Sequence, residues 1–121
     1  LGVMLGRKGS SKEKIKVKLE SLFDYDLSQK LEQIIPSYTF DNTCQGSVPQ
    51  AIIAFLESTD FEDAIRNSIS LGGDADTQAC ITGSLAEAYY KSIPDEIASF
   101  VKWRIEDDLL DVLDQFNSIQ K

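Results

Sequence analysis

Two glycines followed at once by two aspartates, in the run Ser70-Leu71-Gly72-Gly73-Asp74-Ala75-Asp76-Thr77, constrain this chain more than any other stretch. Glycine enters left-handed or close-packed backbone without strain, so the pair ends whatever precedes it. From Gln78 to Tyr90 the residues then follow a helical period, which predicts that the two acids stand at a helix N-terminus. Ala79, Cys80, Thr82, Gly83, Ser84, Ala86 and Ala88 are mostly small, and small side chains let neighbouring backbones come close. The helix is therefore expected at the centre of the fold.

Asp74 and Asp76 with Thr77 place two carboxylates and a hydroxyl where all three can converge on one point. Hard oxygen donors suit Mg²⁺ or Mn²⁺, and histidine, the commonest transition-metal ligand, is absent from the chain. The same spacing admits a plainer reading, in which Asp74 caps the helix for about 1 kcal/mol and Asp76 complements its dipole. Judged by spacing alone, the cap is the commoner explanation. Two other acidic motifs fit poorly. An EF-hand loop counted from Asp74 needs a glycine and a glutamate where this chain has Ala79 and Leu85. A phosphatase of the Asp-x-Asp-x-Thr kind needs its threonine one residue later and an apolar strand before the first acid.

At 121 residues the chain suits one domain, residues 1–121, large enough for a core without staples. A net charge of −8 argues against binding to nucleic acid, because such affinity comes from neutralising phosphates. The lysines between Arg7 and Lys18 are interleaved with apolar and acidic residues and read as a solvated face. No window reaches the apolar length of a membrane span. Cys44 and Cys80 make no disulfide framework, and without histidine neither has a partner for nucleophilic catalysis. They are assigned to packing, and free thiols without a signal peptide point to the cytoplasm. The chain begins at Leu1 inside an apolar stretch, which suggests the back half of something longer.

Ser10 with Glu13 reads as a capping box opening a helix to about Leu22, with Ile15, Leu19 and Leu22 inward. A second amphipathic helix is expected from Leu27 to Ile35, stopped by Pro36, then a short extended segment around Tyr38 and Phe40. Ser47-Val48-Pro49-Gln50 reads as another capping box, opening a buried helix to about Glu57. Thr59-Asp60 caps a helix from Phe61 to about Leu71. After the central helix, one helix from about Pro94 carries Ile97, Phe100, Val101 and Ile105 as its inner stripe. A last one, from Glu106 to Phe116, carries Leu109, Leu110, Leu113 and Phe116. Strand signals are scarce. The expected class is all-α, an orthogonal bundle of about six or seven short helices.

The stretch from Leu71 to Tyr90 resembles the C-terminal signature of the ADP-ribosylglycohydrolase family, whose relatives include the dinitrogenase-reductase-activating glycohydrolases. The segment Phe40-Asp41-Asn42-Thr43-Cys44-Gln45-Gly46-Ser47-Val48-Pro49-Gln50-Ala51-Ile52, with Phe61 to Asn67 after it, is similar to the lead into that signature. The resemblance runs from about Lys12 to Pro94. It implies an all-helical fold and a binuclear Mg²⁺ or Mn²⁺ site at which the glycosidic bond of ADP-ribose is cleaved. The substrate it implies is an ADP-ribosylated protein or a small ADP-ribose compound.

Carried over residue by residue, Asp74, Asp76 and Thr77 are the implied metal ligands. Gly72 and Gly73 are expected beside the substrate, or alternatively as an ordinary helix C-cap. Ser47 is expected to hold a phosphate at a capped helix N-terminus, or only to cap it. The family's other metal ligands, a Thr-Asp-Asp triplet and an acid near the N-terminus, have no counterpart here. Ile105-Glu106-Asp107-Asp108 lacks the threonine and lies on the wrong side of the signature. No catalytic residue is assigned, and the isolated chain is expected to bind metal weakly and to be inactive. Its partner would be a second copy or the missing N-terminal half. The other reading is an inert helical binding or dimerisation domain.

Overall fold

The computed structural model describes residues 1–119. Eight helices appear among the described residues, with no strand: α1 Gly2–Arg7, α2 Lys12–Phe23, α3 Leu31–Ile34, α4 Cys44–Glu57, α5 Phe61–Ser70, α6 Ala75–Tyr90, α7 Asp95–Lys102 and α8 Asp107–Ile119. The all-α class expected from the sequence is the class observed. None of these helices is long and apolar enough to cross a membrane.

The predicted central helix is α6, which packs against α1, α4 and α5. Its small residues act as the sequence suggests. A Cβ added to Gly6 of α1 would lie 3.2 Å from the Tyr89 backbone nitrogen, so the α1 and α6 backbones nearly touch. The Thr82 hydroxyl donates to the Ala51 carbonyl at 2.9 Å and ties α6 to α4 inside the core. Around this seam Ile15, Leu19, Ile52, Ile53, Phe55 and Leu85 are buried.

One cation is built into this core. The Lys12 ammonium donates to the carbonyls of Leu56 and Ser58 and, at 2.8 Å, to the Tyr90 hydroxyl. It also lies 5.0–5.5 Å from the ring centroids of Phe55, Tyr89 and Tyr90. Positive charge there complements the carbonyl end of α4 and the ring faces together.

Several boundaries differ from the sequence expectation, each because a side chain found a different backbone partner. Ser11, and not Ser10, caps α2, accepting from the Lys14 N–H. The helix predicted over 27–35 is only Leu31–Ile34, because Asp26 accepts from the N–H and hydroxyl of Ser28 and holds a turn there. Tyr38 and Phe40 form no strand. Thr43 caps α4 by accepting from the Gly46 N–H at 3.0 Å, so α4 starts before Ser47. Pro49 consequently lies within the helix and not at its first residue. Asp60 caps α5 as expected, accepting from the Asp63 N–H at 2.8 Å.

The larger departure is at the end of the chain. α7 and α8 bury none of their residues, and the predicted inner positions Phe100, Leu109 and Phe116 are all more than half exposed. Trp103 is 79% exposed, and the Arg104 guanidinium lies 4.4 Å from the Phe100 ring centroid. Both stripes exist in the sequence, but in the structure they stay largely open to solvent. Leu22 is likewise exposed, lying past the part of α2 that reaches the core.

Candidate metal-binding mouth at two helix N-termini

The N-termini of α4 and α6 lie side by side, and Tyr38 stands between them. Its hydroxyl donates to the Gly46 carbonyl in the first turn of α4 at 2.6 Å and accepts from the side-chain amide of Gln78 in α6. A phenol has one proton, and a carbonyl can only accept, so Gln78 must present its NH₂. Gln78 is wholly buried and its Oε1 has no partner.

Gly72 and Gly73 both have left-handed φ, +76° and +69°. Gly72 follows the C-cap of α5 and its N–H bonds the Ile69 carbonyl at 3.1 Å, as the C-cap reading predicts. Gly73 has a second reason to be glycine: a Cβ there would lie 2.8 Å from the Tyr38 ring.

The turn that follows decides what Asp74 can do. The Ala75 N–H bonds the Gly73 carbonyl at 3.0 Å, and Asp74 between them has φ −81° and ψ 73°, the conformation of an inverse γ-turn. An ordinary N-cap is extended and turns its side chain back onto the first free N–H groups. Asp74 occupies the N-cap position but makes no side-chain cap bond. The capping role that spacing favoured is thus not played by its carboxylate.

That carboxyl instead bears on Asp76, two residues on, whose pKa is held below the usual carboxylate range. The Asp74 carboxyl is the main cause, followed by the N–H groups of Thr77 and of Asp76 itself. The Thr77 N–H donates to Asp76 Oδ1 at 2.9 Å. Asp76 and Thr77 are exposed and Asp74 is half-buried, so solvent reaches all three. Two adjacent carboxylates at a helix N-terminus fit a hard divalent cation, because a cation relieves their mutual repulsion better than a shared proton does. Among the described residues no third acid or cysteine joins them in a metal-holding group. The set present is therefore less than a complete coordination sphere.

Asp41 lies on the same side. It accepts from the Thr43 N–H at 2.8 Å and the Thr43 hydroxyl at 2.7 Å, and these bonds hold its pKa below the usual range. The Tyr38 phenol is pushed up, first by burial and then by the charges of Asp41 and Asp74. Because the folded value for Asp41 is depressed, its contribution to stability is complete above about pH 3.9 and is lost as pH falls through the folded value. Asp41→Asn is expected to flatten this acid limb. The gap between the urea midpoints of the two proteins should stay constant above about pH 5 and narrow as pH falls below about 4, and a gap that stays constant through that acid range would contradict it.

Ser47 is not where the sequence put it. It is buried within α4, its hydroxyl donating to the Thr43 carbonyl at 2.6 Å, so it neither caps the helix nor lies at its N-terminus. The argument for a phosphate at Ser47 loses its ground. Cys44 and Cys80, assigned above to packing, are both exposed free thiols. A cleft of about 270 Å³ lined by Lys12, Lys16, Lys30 and Glu57 flanks the other end of α4, roughly 20 Å from the aspartates at 1.5 Å per residue.

With two acids meeting at the end of a helix that follows a double glycine, the signature has a three-dimensional form, and comparison with known proteins gives it a family. The sequence profile of the ADP-ribosylglycohydrolase family matches residues 6–120. The chain belongs to the ADP-ribosylglycohydrolase family. It is 42% identical over 78 residues to a protein of Acanthamoeba polyphaga mimivirus that bears the name of an ADP-ribosyl glycohydrolase, a match covering 60% of this chain and 22% of that protein. The chain thus aligns with about a fifth of this relative's length. No solved structure matches it significantly.

Within this ADP-ribosylglycohydrolase chain, the structure brings Gly73, Asp74 and Asp76 together with Tyr38, Asp41 and Gln78, which sequence reasoning did not select. For Gln78 a signal was present. It shares one helical face with Thr82 and Leu85, so a polar amide sits on the stripe that α6 buries. Tyr38 and Asp41 gave no such signal, since they lie in a loop without period.

Proposed function

We propose that Asp74, Asp76 and Thr77 supply part of an Mg²⁺ or Mn²⁺ site that hydrolyses the glycosidic bond joining ADP-ribose to a protein side chain or a small molecule. The observation that carries this reading is the Asp74 carboxylate, which stands at the N-cap position two residues before Asp76 and makes no cap bond. Bound there, the cation would orient ribose hydroxyls and polarise the anomeric centre. The chain's own residues have simpler tasks. The two carboxylates hold charge at the mouth, the Thr77 hydroxyl adds a neutral oxygen donor, and the open space over Gly72 leaves room for a ligand to approach.

Two carboxylates and a hydroxyl fill at most half of the six positions that Mg²⁺ requires, so the remaining donors come from water, substrate or another part of a longer protein. The second metal of the family's binuclear site has no ligands assigned on this chain. The chain alone is accordingly expected to release little ADP-ribose from ADP-ribosyl-arginine or ADP-ribosyl-serine. Robust hydrolysis by these 121 residues would overturn the division of the site. The metal ligands are tested by calorimetric titration of Mn²⁺ into the wild type and Asp76→Ala. Indistinguishable titrations would remove the assignment.

A second reading, an inert helical domain that pairs with another chain, draws support from the exposed apolar faces of α7 and α8. The two are compatible in one respect: a second copy, or the rest of a longer protein, would cover those faces. Exposed free thiols at Cys44 and Cys80 accord with a reducing, cytoplasmic setting, and the acidic charge does not favour nucleic acid.

A further inference from the structure

We infer that Tyr38 is a positioning residue for the Asp74–Asp76 pair, gripping the backbone on both flanks of Asp74; this rests on the metal-site reading above. On the N-terminal flank its ring packs against Gly73, leaving no space for a Cβ there, while the Thr39 carbonyl lies 3.4 Å from the same point. On the C-terminal flank its hydroxyl accepts from Gln78, whose own N–H makes the first helical bond to the Asp74 carbonyl at 3.0 Å. The third attachment runs from the hydroxyl to Gly46 at the start of α4. Tyr38 thereby references the acid turn to a second helix.

The consequence lies in the conformation of Asp74. With Gly73 pressed against the ring and Gln78 tied to the hydroxyl, the chain between them closes as an inverse γ-turn and not as an extended cap. With that turn the Asp74 carboxylate makes no bond to the first-turn N–H groups and is left for a ligand shared with Asp76. Gln78 supports this from inside. Its amide is wholly buried with Oε1 unpartnered, so its bond to Tyr38 is what its side chain gains in that position. Tyr38 touches no reacting atom on this account and acts only through the acids.

Tyr38→Phe separates the hydroxyl from the ring. The ring still fills the space under Gly73, so the fold should persist, with a far-ultraviolet spectrum like that of the wild type. Mn²⁺ affinity is expected to fall about tenfold, the lower range for losing a supporting contact. Gln78→Leu should give a similar fall, and the double variant little more than either, because the two changes break one bond.

A local readout tests the inference apart from the metal. Hydrogen exchange of the Ala75 amide, which closes the γ-turn, should quicken about tenfold in metal-free Tyr38→Phe while the core amide of Ala54 keeps its rate. Wild-type Mn²⁺ affinity in Tyr38→Phe would overturn the inference and leave the metal site standing. If the wild type itself bound no Mn²⁺, the metal reading would fall. Exchange at Ala75 would then decide Tyr38 by itself, unchanged protection overturning the role and selective loss supporting it.

Discussion

Asp76→Ala is expected to weaken Mn²⁺ binding by at least about 100-fold, beyond the 10–100-fold typical of losing a group that only supports a ligand. The size follows from the chemistry of the pair. A cation between two carboxylates is attracted by both, and removing one leaves a single acid and a hydroxyl at an open, solvated mouth where water competes for every position. Asp74→Ala should weaken binding to a similar extent with little cost in folding, since that carboxylate makes no cap bond. Asp60→Ala provides the contrast. Asp60 does cap its helix, and its loss should cost about 1 kcal/mol of stability with no change in Mn²⁺ affinity. Calorimetric titration and urea denaturation of the three variants separate a ligand from a cap. Destabilisation by Asp74→Ala equal to that of Asp60→Ala, with metal binding intact, would return Asp74 to the capping role.

Phe55→Ala is expected to cost about 3–5 kcal/mol, a large part of the 5–15 kcal/mol that holds a typical domain folded. Phe55 is fully buried, and its ring meets Tyr89 edge-on at 5.5 Å. It also forms part of the aromatic floor under Lys12, with the ammonium 5.0 Å from its centroid. Truncation would open a cavity and loosen the cation that gathers the Leu56 and Ser58 carbonyls, so the effect reaches from α4 to α2 and α6. Phe116→Ala, at a position the sequence places in the core and the structure leaves exposed, should change stability by no more than about 0.5 kcal/mol. Urea denaturation followed by circular dichroism measures both. Similar losses at the two positions would mean that α8 packs in solution against something that covers Phe116.

The sequence by itself determined the helical class, the central place of α6 and the station of the two aspartates at its mouth. Each of these is a local matter: small residues at helical spacing permit only close packing, and a double glycine must end a helix. It also held the cap at Asp60, where a polar side chain finds an N–H group a few residues away.

Tertiary structure alone decided where one local option competed with another or where the partner came from far along the chain. Thr43 took the cap that Ser47 seemed to offer, and Asp26 held a turn where a helical pattern ran on. The apolar stripes of α7 and α8 were legible, but a stripe records only that a face can be covered, and what covers it is not written in its own period. Most of the acid mouth belongs to this second class. Spacing made Asp74 a natural cap, and what its turn does instead depends on Tyr38, 36 positions earlier, whose ring packs on Gly73 and whose hydroxyl holds Gln78.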